Sequence, residues 1–251
     1  DRNHRPLQET IQELTDLLAD CRSCHGKVLI PAFAVGRTQN LLYFFSDLKR
    51  KGRLNSAQVV LDSPMAIETT ELYRRHRELF DDQTWKIIDA GDTPLHFAGL
   101  RYSRSADESR ALNEFKDHII IIAGAGMMNG GRIQHHLRHN LWKPETTLLI
   151  VGYQAKGTLG RRIVDGAKRV RIMGEEIVVK AKVFTLGGLS AHAGQSGLVE
   201  WASSLKQGGP RVFLNHGEDG PRGVLRDKLK SALDLNAELP RFGASYELSG
   251  N

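Results

Sequence analysis

The sequence predicts an α/β fold: a mostly parallel sheet flanked by helices. Three observations carry this. Short apolar runs of strand length recur at Lys27 to Phe33, Val59 to Leu61, His118 to Ala123 and Thr146 to Val151. Segments with apolar residues at helical spacing lie between them. Glycines such as Gly26, Gly36 and Gly130-Gly131 punctuate the alternation. Strands and helices that alternate in this way point to parallel strands with helical crossovers.

The elements follow in order. Leu7, Ile11, Leu14, Leu17 and Leu18 share one face of a first helix, which Gly26 ends before the first strand. Thr38 is expected to cap a helix carrying Leu41, Leu42, Phe45 and Leu48. A helix around Ile67 to Arg75 follows the second strand, and Glu78 to Ser105 is irregular. Ile133 and Leu137 mark a helix after Gly130-Gly131, and Leu159 to Val164 starts another. Val170 to Val183 alternates around Gly174 as a β-hairpin would. Late elements are a helix near Gln195 to Leu205, a strand at Arg211 to Leu214 and a helix near Arg222 to Leu233.

The 251 residues are 40% hydrophobic and 25% charged, enough for a substantial core. No apolar run reaches the roughly 18 residues of a membrane helix, so no membrane association is expected. Nor does a signal peptide open the chain. Two cysteines, Cys21 and Cys24, exclude a disulfide scaffold and fit a reducing cytoplasm, the expected location. The net charge of +6 favours anionic partners such as nucleic acid. Between Arg161 and Lys182, seven Lys/Arg face three Asp/Glu. That stretch reads equally as a solvated face or a phosphate-binding surface.

In open parallel sheets ligands gather beyond the carboxyl ends of the strands. Two stretches at such positions carry histidine: Leu189-Ser190-Ala191-His192-Ala193 and Leu214-Asn215-His216-Gly217-Glu218. Neutral imidazole is a ready zinc ligand, although a surface or core histidine is the bland alternative for each.

Further ordered motifs accompany them: Leu29 to Gln39 (LIPAFAVGRTQ), Asp62-Ser63-Pro64-Met65-Ala66, Ala123 to Met127 with Gly130-Gly131-Arg132, and Val151 to Gly160 (VGYQAKGTLG). Together these resemble the beta-CASP family of metallo-β-lactamase-fold nucleases. The likeness is nearest to bacterial and archaeal relatives of the endonuclease subunit that cuts pre-mRNA 3′ ends. It implies a beta-CASP domain over residues 5–185. Residues 186–251 would return to the αββα metallo-β-lactamase fold as its C-terminal portion. Asp1-Arg2-Asn3-His4 is similar to residues just after the family's acidic motif, and HxHxDH is nowhere in the sequence. The chain is therefore expected to be a piece lacking the N-terminal lactamase half.

The resemblance further implies a parent that hydrolyses RNA phosphodiesters with metal-activated water, using two zinc ions. His192 and His216 would be metal ligands, and His192 a catalytic group beside the scissile phosphate. Ser190, Gly124, Gly126, Arg132, Arg37 and Ser63 would bind substrate. Each of these has a structural alternative: turn chemistry for the glycines, capping for Ser190 and Ser63, ion pairing for the arginines. The isolated chain is expected to be inactive. RNA is the expected partner, with single-stranded DNA and a homodimer as further options. A non-catalytic RNA-binding scaffold is the alternative function; a small-molecule hydrolase fits less well, because the inserted domain clamps nucleic acid in relatives. Ala125, Gly187 and Gly194 stand where relatives often have Ser or Asp, which bears on substrate placement.

Two signals are set aside. Cys21-Arg22-Ser23-Cys24-His25 matches a haem-attachment pattern without other cytochrome features. His135, His136 and His139 read as an exposed polar helix face.

Overall fold

A computed structural model describes residues 3–23, 26–54, 58–190 and 192–248. The chain divides into two compact units, Arg5–Ser190 and Asp1–His4 with Ala191–Asn251. Cys24 and His25 of the haem-like pattern lie outside the described residues.

The larger unit runs α1 (Leu7–Ser23), β1 (Lys27–Pro31), α2 (Arg37–Arg50), β2 (Gln58–Asp62), α3 (Pro64–Arg75), α4 (Asp82–Asp89), β3 (Leu100–Tyr102), α5 (Ala106–Glu114), β4 (Ile119–Ala123), α6 (Arg132–Asn140), β5 (Thr147–Ile150), α7 (Leu159–Val164), β6 (Arg169–Ile172), β7 (Glu175–Val178) and β8 (Lys182–Thr185). Six strands form one sheet in the order β3-β2-β4-β1-β5-β8. Every pairing in it is parallel, as the sequence predicts.

Why the strands are apolar throughout is plain from their surroundings. Successive residues point to opposite faces, and both faces are covered. Val28, Ile30, Val59, Leu61, Ile120 and Ile122 pack with Leu14, Leu41, Phe45 and Ile67 from α1, α2 and α3. Leu29, Val60, Ile119, Ile121, Leu148 and Ile150 pack with Leu112, Ile133, Leu137 and Ile163 from α5, α6 and α7. All five residues of β1 and of β4 are buried. A period-2 pattern is therefore invisible there: no residue faces water.

The hairpin differs from its expected extent. β6 and β7 pair antiparallel through Ile172–Glu175, so the turn is Met173-Gly174. Both have positive φ, 51° and 87°, as a tight two-residue hairpin turn requires. Pairing stops at Val178, and Lys182–Thr185 instead joins the main sheet beside β5. Val183 is thus part of the large sheet's edge strand.

The smaller unit holds α8 (Gln195–Ser203), β9 (Val212–Phe213), α9 (Asp219–Leu233) and β10 (Ala237–Glu238). β9 and β10 pair in parallel. A compact cluster of Ala202, Leu229, Leu235 and Ala237 forms its core, with Val199, Val212, Leu214 and Leu225 packed against it. Trp201 and Phe242 remain exposed.

Candidate functional site

Four motif loops leave the carboxyl ends of β2, β4, β1 and β5, which are neighbours in the sheet. Each loop is built by its own polar residues and then tied to the next.

After β1 the chain turns at Gly36, whose φ of 79° places it as the N-cap of α2. Thr38, expected to be the cap, lies inside the helix. Its Oγ1 donates to the Phe33 carbonyl at 2.8 Å, and its amide reaches the same oxygen at 3.3 Å. Gln39 takes the capping role through Oε1, which accepts from Gly36 N–H at 2.7 Å. Its Nε2 donates to Thr70 Oγ1 at 2.9 Å, joining this loop to α3. Arg37 donates to the Leu189 carbonyl, so its half-buried guanidinium holds the backbone just before Ser190. Burial lowers its pKa from the ordinary value.

After β2, Ser63 caps α3, its Oγ accepting from Ala66 N–H at 3.3 Å. Asp62 is fully buried and forms the hub of a polar cluster. Arg132 Nη1 reaches its Oδ1 at 2.7 Å. His136 Nε2 and Ser109 Oγ each lie 2.6 Å from Oδ2. Burial alone would push the carboxyl upward, but hydrogen bonds from His136, Ser109 and Arg132 outweigh it and bring the pKa down to about 2. Arg132 also donates to the carbonyls of Ser103 and Arg104, at 3.0 and 2.8 Å. Its charge is thus committed to the Asp62 cluster, the ion-pairing alternative for that residue.

His136 is therefore not on an exposed face: it is fully buried, whereas His135 and His139 are exposed. The signal was the spacing of Arg132, His136 and Asn140, three polar residues at i, i+4 and i+8 on one side of α6. A buried acidic partner from another strand was needed to read it, and Asp62 supplies that partner.

After β4 the glycine loop satisfies itself. Ala125 N–H donates to the Gly130 carbonyl at 3.1 Å, and Ile133 N–H to the Gly124 carbonyl at 2.9 Å. Gly131 is obligatory: φ is 74°, and a Cβ would fall on the Gly124 carbonyl. Gly124 lies beside Ser63, with Oγ 3.6 Å from where a Cβ would stand. Gly126 is needed for packing, since a Cβ would come within 2.8 Å of the Phe33 ring. After β5, Gln154 Nε2 donates to the Gly126 carbonyl at 3.0 Å. Leu159 N–H donates to Asn129 Oδ1 at 2.8 Å. Ser63, Gly124 and Gly126 thus meet at one preformed rim.

In the smaller unit, His192 precedes α8 and His216 follows β9. Their rings stack with centroids 6.3 Å apart and planes inclined by 28°. Both side chains are exposed. The His192 turn is pinned by the first residues of the chain. His4 Nε2 lies 2.7 Å from the His192 carbonyl. Asn3 exchanges two hydrogen bonds with Ser196, at 2.8 and 3.2 Å. Arg222 donates to the Leu214 and Pro240 carbonyls at 3.2 Å each, bracing the other turn. Two side-by-side imidazoles suit a zinc site as part of a donor set, given Zn–N bonds of about 2.0–2.1 Å. They do not complete one: among the described residues no group of three or more His, Cys, Asp or Glu is placed to hold a metal.

Residues 38–163 match the Beta-Casp domain, and residues 176–240 match the Zn-dependent metallo-hydrolase RNA specificity domain. The chain belongs to the beta-CASP family. The second match begins within β7, and it takes in Ser190, His192 and His216. Among curated proteins, this beta-CASP chain is 42% identical to "Ribonuclease TTHA0252" of Thermus thermophilus over 243 residues, 97% of the chain and 55% of that protein. It is 31% identical to "Transcription termination factor FttA" of Methanocaldococcus jannaschii, covering 84% of the chain and 34% of that protein. An "RNase J-like protein" of the same archaeon is 29% identical over 85% of the chain and 48% of its own length. The beta-CASP chain thus spans roughly a third to a half of the length of these relatives.

Proposed function

We propose that this chain supplies the RNA-holding rim and two of the metal ligands of a zinc-dependent ribonuclease whose remaining ligands come from sequence outside these 251 residues. The observation that carries the reading is the paired imidazoles of His192 and His216, 6.3 Å apart in turns braced by Asn3, His4 and Arg222. A bound pair of zinc ions would supply activation of the attacking water and stabilisation of the leaving oxygen. His216 serves as a ligand. His192 has two exclusive roles: neutral, it serves as a ligand; protonated and off the metal, it delivers a proton to the leaving oxygen. Ser190 donates a hydrogen bond to a phosphate oxygen. Ser63 and the Gly124–Gly126 backbone face the nucleic-acid backbone, Arg37 adds positive potential beside them, and Arg132 keeps its loop in place through Asp62. RNA is the proposed substrate, the cytoplasm the proposed location.

The test is cleavage of a labelled single-stranded RNA by the 251-residue chain, with and without added zinc. No zinc-dependent cleavage is expected from the chain alone. In the longer protein, cleavage is expected and His216→Ala abolishes it. Saturable, zinc-dependent cleavage by the 251 residues alone would overturn the shared-site reading.

The alternative reading is an RNA-binding scaffold without catalysis; retention of both His192 and His216 speaks against it. Binding of RNA by the longer protein with no zinc-dependent cleavage would favour it.

A further inference from the structure

We infer that Phe33 is a stacking platform for a nucleobase, so that a single strand is held by a base as well as by its phosphates. This rests on the RNA reading above. Phe33 follows β1, the strand between β4 and β5 in the sheet, at the carboxyl-end rim. Its ring is backed by Gly126: a Cβ there would come within 2.8, 2.9 and 3.1 Å of Cδ2, Cε2 and Cγ. Yet the residue remains 47% exposed. An aromatic ring laid against a glycine and left open elsewhere is what a planar ligand needs.

The backbone on either side of this contact is also fixed in place. Both the hydroxyl and the amide of Thr38 donate to the Phe33 carbonyl. The Gly126 backbone behind the ring is held by Gln154. Little ordering is left to be done on binding, which favours affinity. Val35 and Tyr153, from loops, and Met65, from the first turn of α3, are exposed large side chains at the same end of the sheet. Apolar surface there accompanies the loops that the functional reading assigns to phosphates. That combination suits a single strand, whose bases present a π-face whatever the sequence. The chain's net charge of +6 agrees with a polyanion.

The experiment measures binding of the 251-residue chain to oligoadenylate and to an abasic ribose-phosphate oligomer of equal length and charge, by fluorescence anisotropy. Wild type is expected to bind oligoadenylate about tenfold tighter than the abasic strand, the scale of one stacked base. Phe33→Ala should lose that tenfold on oligoadenylate and leave the abasic strand unchanged. Phe33→Leu, which keeps apolar volume over Gly126 without a flat π-face, should do the same; Phe33→Trp should keep the preference. If the Phe33→Ala and Phe33→Leu variants discriminate between the two strands as well as wild type, the stacking inference is overturned while the RNA reading stands. If wild type binds neither strand, both fail together.

Discussion

His136 Nε2 lies 2.6 Å from Asp62 Oδ2, with both side chains sealed from solvent. This contact joins α6 to the end of β2, and Arg132 and Ser109 complete the acid's shell. The cluster fixes where the rim loops leave the sheet. Removing one member strands the others in a dry environment. Asp62→Ala is expected to cost roughly 3–5 kcal/mol, read as a lower urea midpoint, and a double-mutant cycle with His136→Ala should show strong coupling. A loss below about 1 kcal/mol would show that the cluster relaxes without consequence.

Acid should act through the same carboxyl. Its pKa falls from 3.8 to about 2 on folding. The depressed value stabilises the fold above the unfolded pKa, and the gain is lost as pH falls from about 4 to about 2. The expected size is at most about 2.5 kcal/mol. Thermal melts across that window should show a slope that flattens in Asp62→Asn.

Two adjacent glycines should respond very differently. At Gly131 a Cβ meets the Gly124 carbonyl and φ is positive, whereas at Gly130 nothing lies within 4 Å. Gly131→Ala is expected to lose more than about 2 kcal/mol, from strain and displaced backbone. Gly130→Ala should change stability by less than about 1 kcal/mol. Chemical denaturation of the two variants side by side checks this.

The parallel sheet was legible in the sequence because Ile119 to Ile122 and Val28 to Ile30 can only be strands buried on both faces. The motif loops were legible as a family resemblance. What escaped was the traffic between loops. Thr38 looked like a cap because helix starts favour threonine, but Gly36 occupies that position and Thr38 turns back to Phe33. His136 looked solvated because its partner, Asp62, lies 74 residues away in sequence. β8 was absorbed into the hairpin because Lys182–Thr185 continues its alternation. Long-range pairing alone separates the two.

Metal removal should leave the fold of this chain intact. Its cores are apolar clusters in both units, and two imidazoles alone hold zinc weakly. A chelator is expected to leave the melting temperature unchanged. Titration calorimetry should find weak zinc binding that His216→Ala reduces further. A melting temperature that falls on chelation would point to a metal built into folding.

The strand order has a consequence for the chain as it is made. β1 ends at Pro31, but its partners β4 and β5 begin at Ile119 and Thr147. A nascent chain that stops before residue 119 can pair neither side of its first strand within this sheet. Contacts of such sequence separation form slowly, so early strands must wait, apolar and open, while later ones emerge. The rim cannot grip anything in a half-synthesised chain: its loops become neighbours only when the sheet closes around β1. Binding competence is thereby withheld until the polypeptide that must support it exists.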